Sequence, residues 1–176
     1  MLIRFKFLEH GNRGPSTIRI SFTSTGPPNS RLGLWRKDDD PNEPTMRLRV
    51  VFSEPLWSQF MILHEFRHAL GLEHQHQHPN SGIRWNKSEL KRQYRYTDDV
   101  FRRNYATLSS LAATCYDPRS IMHYRILPGE TYNRAPWSAP NSVLSVGDKM
   151  LLMSLYPSDK PLILAPGLVL DPKAEP

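Results

Sequence analysis

One segment of the chain concentrates residues that could bind a metal ion and activate water. His64, Glu65, His68, Gly71 and His74 follow the spacing H-E-x-x-H-x-x-G-x-x-H. On a helix, residues four apart share a face, so His64 and His68 can present two imidazoles to one ion. Gly71 has no Cβ and permits a sharp turn that can return His74 as a third nitrogen ligand. Three imidazoles with an open fourth position describe a catalytic zinc site, and we predict one Zn²⁺ ion here.

The chemistry predicted for this site is hydrolysis of a peptide bond. Zinc held by three neutral ligands lowers the pKa of its water to about 7 and polarises a carbonyl. Glu65 would take the proton from that water and then pass it to the leaving amine. We therefore predict a zinc metalloendopeptidase that acts on extended peptides or proteins. The alternative is a zinc-binding module that is catalytically weak or inactive.

The segments before the motif indicate strands. Apolar and polar residues alternate over residues 2–8, 16–23 and 46–52, which predicts three strands. Arg47 and Arg49 would point away from the apolar side of the third strand. That pattern suits an exposed edge of a sheet.

The apolar spacing becomes helical from Leu56, which predicts a helix over residues 55–70 that carries the first three residues of the motif, His64, Glu65 and His68. Cap signals at Asn86 and Thr97 predict two more helices, the second over residues 98–108, and a last helix is predicted over residues 146–155. Strands followed by helices indicate an α+β fold, with the motif helix against a mixed sheet.

The motif and the downstream segment SIMHY, residues 120–124, together resemble the metzincin clan of metallopeptidases and its astacin branch. The resemblance implies a zincin-like fold with a twisted mixed sheet, an active-site helix and a methionine turn (Met-turn). It implies that Met122 forms an apolar floor under the three histidines. It also implies that Tyr124 is a fifth zinc ligand, which can swing away to hydrogen-bond the oxyanion. The similarity extends over about residues 16–157.

Further details of the resemblance concern substrate binding and activation. Residues 44–52 are similar to the edge strand that pairs with an extended substrate in metzincins. Animal astacins have conserved disulfides, whereas this chain has one cysteine, Cys115, and resembles the disulfide-free microbial and fungal branch. Where astacins have a glutamate that pairs with the mature N-terminus, this chain has Gln75, and an amide cannot form that salt bridge. Arg67 occupies a position that is usually small in microbial relatives. The family also implies a pro-segment or an inhibitor as a partner.

Length and composition set the domain organisation. The 176 residues fit one domain, which we assign to residues 1–157, followed by a Pro-rich C-terminal tail over residues 158–176 without regular structure. No apolar run approaches the roughly 18 residues of a membrane-spanning helix, so we expect no membrane segment. The N-terminal residues lack the continuous apolar core of an export signal, and the sequence does not assign a compartment.

Several other groups have both a functional and a structural interpretation. The net charge is +6, and basic residues alternate with aromatic residues over residues 84–105, which raises nucleic acid as a partner. No nucleic-acid motif accompanies this stretch, so a solvated pair of amphipathic helices is favoured. For His76 and His78, loop histidines without a metal role are favoured over an additional metal site. A structural hydrogen bond is favoured for His123.

Overall fold

The computed structural model describes residues 3, 5–8, 16–33, 40, 42–133, 142–157, 162–164 and 168–170. The elements are, in chain order, β1 (Ile20–Phe22), β2 (Asn29–Ser30), β3 (Met46–Leu48), α1 (Pro55–Ala69), α2 (Lys87–Tyr94), α3 (Asp98–Tyr105), α4 (Val146–Leu155), β4 (Leu162–Leu164) and β5 (Leu168–Leu170). Three short 3-10 helices span Gln75–Gln77, Pro79–Ser81 and Ser109–Ala113. Within the described residues, no helix has the length and apolar character needed to cross a membrane. The chain forms two compact units, one of Met1–Leu72 with Asp148–Pro176 and one of Glu73–Gly147.

The first unit contains a small mixed sheet against α1. Strand β3 pairs in parallel with β1, where Ile20 faces Met46, and antiparallel with β2, where Asn29 faces Arg47. Met46 and Leu48 are 0% and 3% exposed, and they form a core with Ala69 of α1. This arrangement confirms an α+β unit in which the sheet supports the helix of the histidine motif.

The structure corrects the predicted edge strand. Strand β3 lies between β1 and β2, so it is the central strand of the three and not an edge. Arg47 is exposed because it points away from the core face, and alternation alone does not distinguish a solvent face from a sheet edge. The strand predicted over residues 46–52 is also longer than β3, since Phe52 lies outside β3 and is 93% exposed.

Two local features start and stop α1 where the motif requires it. Pro55 occupies the first helical turn, where its missing N–H has no cost, and the buried Ser58 hydroxyl accepts a hydrogen bond from Val51 N at 2.8 Å. At the other end, Gly71 has φ +92°. Its N–H donates to His68 O at 2.9 Å, and Leu72 N donates to Arg67 O at 3.0 Å. These two bonds form a Schellman motif, which ends the helix ahead of the third histidine of the motif.

The second unit is built on α2, α3 and the turns around them. The predicted caps are confirmed: Asn86 Oδ1 accepts from Glu89 N at 3.2 Å, and Thr97 Oγ1 accepts from Val100 N at 3.3 Å. Lys87 and Lys91 of α2 both pair with Asp98 at the start of α3, at 2.7 and 3.2 Å. The two helices are therefore joined by a shared carboxylate at their surface.

Both ends of the chain differ from the sequence-based expectation. Of the strand predicted over residues 2–8, the described residues 3 and 5–8 are irregular. The tail predicted to lack regular structure contains a two-stranded antiparallel ladder, in which Leu162 faces Leu170. Each of these strands is a proline-free apolar triplet, and the prolines that suggested irregularity fall outside the paired residues.

Candidate metal centre

Helix α1 places the first two histidines of the motif side by side. His64 is 5% exposed and His68 is half-buried, and their ring centroids are 4.9 Å apart at an interplanar angle of 87°. The spacing of four residues produces this pairing, because side chains one helical turn apart lie on the same face. Both imidazoles are therefore oriented by regular backbone.

His74 completes a group of three histidines. One ring nitrogen from each of His64, His68 and His74 lies within 4.8 Å of the other two. The positive φ of Gly71 makes this possible, because it reverses the chain immediately after α1. Within the described residues, this is the only group of three or more His, Cys, Asp or Glu side chains arranged to hold a metal ion.

The hydrogen bonding of His68 selects its ligand atom. Nδ1 lies 2.9 Å from Leu72 O, and a carbonyl oxygen can only accept, so Nδ1 carries the hydrogen. Nε2 is then the basic nitrogen of the ring. Burial, with a smaller effect of His64, lowers the pKa of His68 to about 4. The ring is thus neutral near pH 7, as a zinc ligand must be.

Glu65 is a buried carboxyl group with an unsatisfied oxygen. Its side chain is 3% exposed, and Oε2 has no hydrogen-bond partner among the described residues. Burial raises the pKa of Glu65 to about 7. An acceptor buried without a protein partner is costly and is found mainly where a ligand or water completes the site.

Arg67, two positions after Glu65, is half-buried. Burial lowers the pKa of its guanidinium group, while the charge of the buried Asp148 opposes this shift. Its Nε atom has no hydrogen-bond partner among the described residues.

Tyr124 packs on the third histidine of the motif. Its ring centroid lies 4.6 Å from that of His74, in an edge-on contact at 61°. It also lies 3.9 Å from the centroid of His76, in a stacked contact at 24°. The structure therefore places the Tyr124 ring against the ring of His74, and the role of Tyr124 as a zinc ligand stays a prediction.

The Met-turn is tightly hydrogen-bonded. Met122 is fully buried, and its N–H donates to Ser120 Oγ at 2.9 Å. Its carbonyl oxygen accepts from Gln75 N at 3.1 Å. The residue after His74 is thus bonded directly to the backbone of the Met-turn.

Asp117 organises the start of this turn. Its carboxylate accepts from Arg119 N at 2.9 Å and from Ser145 Oγ at 2.5 Å. Its own N–H donates to Oε1 of Gln75 at 3.0 Å. Gln75 is only 5% exposed, so this amide is a buried acceptor that is satisfied by the backbone.

The polar run after His74 is buried, which the sequence did not reveal. His76, Gln77 and His78 are each no more than 3% exposed. His76 Nε2 donates to Asn104 O at 2.6 Å, and Gln77 Nε2 donates to Ala106 O at 2.9 Å. These carbonyls lie at the end of α3, where backbone acceptors lack partners within the helix. Composition alone indicated a solvated loop, and no local signal distinguishes the two cases.

The remaining candidates have structural roles. His123 Nδ1 donates to Tyr124 O at 2.7 Å, and His123 Nε2 accepts from the Tyr116 hydroxyl at 2.9 Å, which agrees with the structural hydrogen bond predicted for it. His78 Nε2 donates to Thr114 O at 3.1 Å. Much of the basic stretch is paired with its own carboxylates; the paired cations are Lys87, Lys91, Arg92 and Arg102. This pairing favours a solvated helix pair over a surface for nucleic acid.

The donor set of the three histidines fits zinc. Imidazole nitrogens are typical zinc ligands, and three of them leave one position for water or substrate. A neutral His68 and a buried acceptor on Glu65 suit a cation with a water beside it. The residues present are therefore compatible with a catalytic zinc site.

Comparisons with known proteins agree with this geometry. The family model for Astacin, a family of peptidases, matches residues 49–137, which include the histidine motif and the Met-turn. A structure of myroilysin has 33% sequence identity to this chain and a TM-score of 0.73. The match covers 82% of this chain and 74% of that chain. A second myroilysin structure is 32% identical, with a TM-score of 0.60, over 87% of this chain and 69% of that chain.

A more distant structure shares the fold. High choriolytic enzyme 1, a hatching enzyme zinc-protease from the medaka fish Oryzias latipes, is 23% identical with a TM-score of 0.52. The match covers 80% of this chain and 70% of that one. Among curated proteins, none matches the chain significantly.

Proposed function

The chain belongs to the astacin family of zinc metalloendopeptidases, and we propose that it cleaves extended peptides or proteins with Glu65 as the general base. The observation that carries this proposal is the group of three histidine nitrogens within 4.8 Å of one another, formed by the segment that contains Glu65. A metal site and a buried base in consecutive residues are the two requirements of this type of hydrolysis.

We assign the ligands to His64, His68 and His74. A zinc ion in this site would lower the pKa of a water to about 7 and polarise the scissile carbonyl. The Nδ1 hydrogen bond from His68 to Leu72 O would fix the ring orientation and increase the basicity of Nε2.

Glu65 would carry the proton. Its carboxylate would accept a proton from the attacking water and deliver it to the nitrogen of the leaving amine. Burial supports this role, because it raises the pKa of Glu65 to about 7 and makes the carboxylate a stronger base than an exposed glutamate.

Tyr124 would stabilise the developing oxyanion. A phenol hydroxyl can donate one hydrogen bond to the carbonyl oxygen as negative charge forms on it. The contact of the Tyr124 ring with His74 at 4.6 Å supports a position next to the ligand set. The same hydroxyl would also be available to the zinc as a switchable fifth ligand.

The test combines metal analysis with cleavage of a peptide library. We expect about one zinc per chain, and the Glu65→Gln variant should retain the metal but lose activity by about 10²- to 10⁴-fold. Glutamine keeps the size of the side chain and removes its basicity, so loss of turnover with zinc retained isolates the proton transfer. Unchanged turnover in Glu65→Gln would exclude Glu65 as the base. Bound zinc without cleavage of any library peptide would instead identify a zinc-binding module.

A further inference from the structure

The ring of His76 covers one face of the Tyr124 ring. The centroids are 3.9 Å apart and the planes differ by 24°, whereas the contacts of Tyr124 with His74 and Tyr105 are edge-on at 61° and 79°. A stacked pair permits sliding within the plane more readily than tilting out of it. The stack therefore defines the plane in which the tyrosine ring can move.

His76 is itself held firmly. It is 1% exposed, and its Nε2 donates to Asn104 O at 2.6 Å. Gln77 fixes the adjacent position through bonds to Arg103 O at 3.0 Å and Ala106 O at 2.9 Å. The carboxyl end of α3 thus anchors the segment that carries His76.

Two further aromatic side chains pack around the ring of His76. Tyr105, which is 9% exposed and is the last residue of α3, lies 5.9 Å from His76 between ring centroids. Trp85 packs edge-on against Tyr105 at 4.8 Å and against His76 at 5.8 Å. Tyr105 and Trp85, together with Tyr124, therefore limit the space available to the His76 ring.

We propose that His76 is a positioning residue for Tyr124. Its anchored ring holds the Tyr124 ring in the plane that its hydroxyl requires next to the ligand set. This inference rests on the proposed function, because orientation of Tyr124 affects the rate only if its hydroxyl stabilises the oxyanion. His76 does not touch the reacting atoms, and its effect passes through Tyr124.

Two substitutions separate stacking from hydrogen bonding. His76→Phe keeps a flat ring and loses the hydrogen bond to Asn104 O, whereas His76→Leu loses both the flat ring and the hydrogen bond. His78→Gln is the matched control, because His78 is also 1% exposed in the same segment, and its ring packs on Tyr116 at 5.8 Å instead.

The first measurement needs no metal and no activity. In NMR spectra of the metal-free protein with labelled tyrosine rings, the resonance of the Tyr124 ring is assigned by its loss in Tyr124→Phe. We expect the stacked ring to displace the chemical shift of Tyr124 in the wild type, in His76→Phe and in His78→Gln. This displacement should be lost in His76→Leu. An unchanged Tyr124 signal in His76→Leu would overturn the stacking role.

The second measurement is a double-mutant cycle on the zinc enzyme. Because small misplacements of a catalytic group are costly, His76→Leu should lower kcat by about tenfold with little change in KM, and His76→Phe should recover most of it. In the Tyr124→Phe background, His76→Leu should have no further effect on kcat. An equal loss in both backgrounds would show a general structural role and overturn the proposal. If the wild type cleaves no peptide, the proposed function fails, and the ring signal alone decides whether His76 holds Tyr124.

Discussion

Oε1 of Gln75 accepts a hydrogen bond from the backbone N–H of Asp117 at 3.0 Å. Gln75 N also donates to Met122 O at 3.1 Å, so one residue is bonded to the backbone both just before and within the Met-turn. The resemblance implied a glutamate here, paired with a charged chain terminus. In this protein a neutral amide occupies the position, and its acceptor is satisfied by the backbone of the same unit.

Gln75→Met should destabilise the protein. Methionine has a similar length but no strong acceptor, so the N–H of the half-buried Asp117 would lose its partner. The expected loss in the free energy of unfolding is about 1–3 kcal/mol. Urea unfolding of the two proteins measures it. Gln93→Met, at an exposed position of α2, is the control and should change stability by no more than about 0.5 kcal/mol. Equal effects of the two substitutions would contradict a bracing role for Gln75.

Gly147→Ala should also destabilise the protein, although alanine is usually the better helix former by about 1 kcal/mol. A Cβ at this position of α4 would collide with the carboxylate of Asp117, which is held by Ser145 and Arg119 N. Relief of the collision would break these bonds, and we expect a net loss of about 1–3 kcal/mol in unfolding experiments.

The double variant Gly147→Ala with Asp117→Ala tests the cause. Removal of the carboxylate removes the obstacle, so Gly147→Ala should cost less in the Asp117→Ala background than in the wild type. Additive losses would show that the collision is not the source of the effect.

Tyr156→Phe should reduce stability and its dependence on alkaline pH. The Tyr156 hydroxyl donates to Leu70 O at 2.8 Å, and its loss should cost about 1 kcal/mol. Burial raises the pKa of Tyr156 above the usual value of about 10. The unfolded chain therefore releases the Tyr156 proton at a lower pH than the folded chain does. The stabilisation is complete below about pH 10 and is lost as pH rises through the folded pKa.

The measurement for Tyr156 is the free energy of unfolding between about pH 8 and pH 11, across the usual tyrosine pKa. The slope above pH 10 should be shallower in Tyr156→Phe than in the wild type. Tyr132→Phe, at a residue that is 64% exposed, serves as the control for loss of a hydroxyl and should change the free energy of unfolding by no more than about 0.5 kcal/mol at neutral pH. Parallel curves for Tyr156→Phe and the wild type would contradict the prediction.

Zinc should stabilise the folded chain. A ligand that binds only the native state at about 100 times its Kd adds about 2.7 kcal/mol. Chelation should therefore lower the thermal midpoint of the wild type, and added zinc should restore it. His68→Ala should abolish this response, while His78→Gln should retain it because His78 bonds to the backbone of the second unit. A zinc response that persists in His68→Ala would place the ion elsewhere.

The sequence predicted the site better than it predicted the surrounding strands. The histidine motif depends on helical spacing and one glycine, so its geometry follows from local rules, and the structure brings the three histidine nitrogens within 4.8 Å of one another. The role of these histidines as metal ligands stays a prediction. The metzincin fold and the astacin family were also predicted correctly from the motif and the SIMHY segment. The division into residues 1–157 and 158–176 stays a prediction.

The errors concern contacts between residues distant in sequence. Alternation predicted that Met46 and Leu48 share a buried face, but it could not predict that two other strands would flank them. The burial of His76 and His78 depends on carbonyls at Asn104 and Thr114, which lie 28 and 36 residues further along the chain. Such pairings leave no periodic signal in the chain.

The short span of the ligand set also affects the order of folding. His64 and His68 need only one helical turn to face one ion, and the first turn is the costly step of helix formation. Metal binding can repay that cost before the distant strands β1 and β3 pair, since closing a longer loop costs more entropy. We therefore expect zinc to accelerate refolding by nucleating α1, a kinetic effect separate from its contribution to the finished structure.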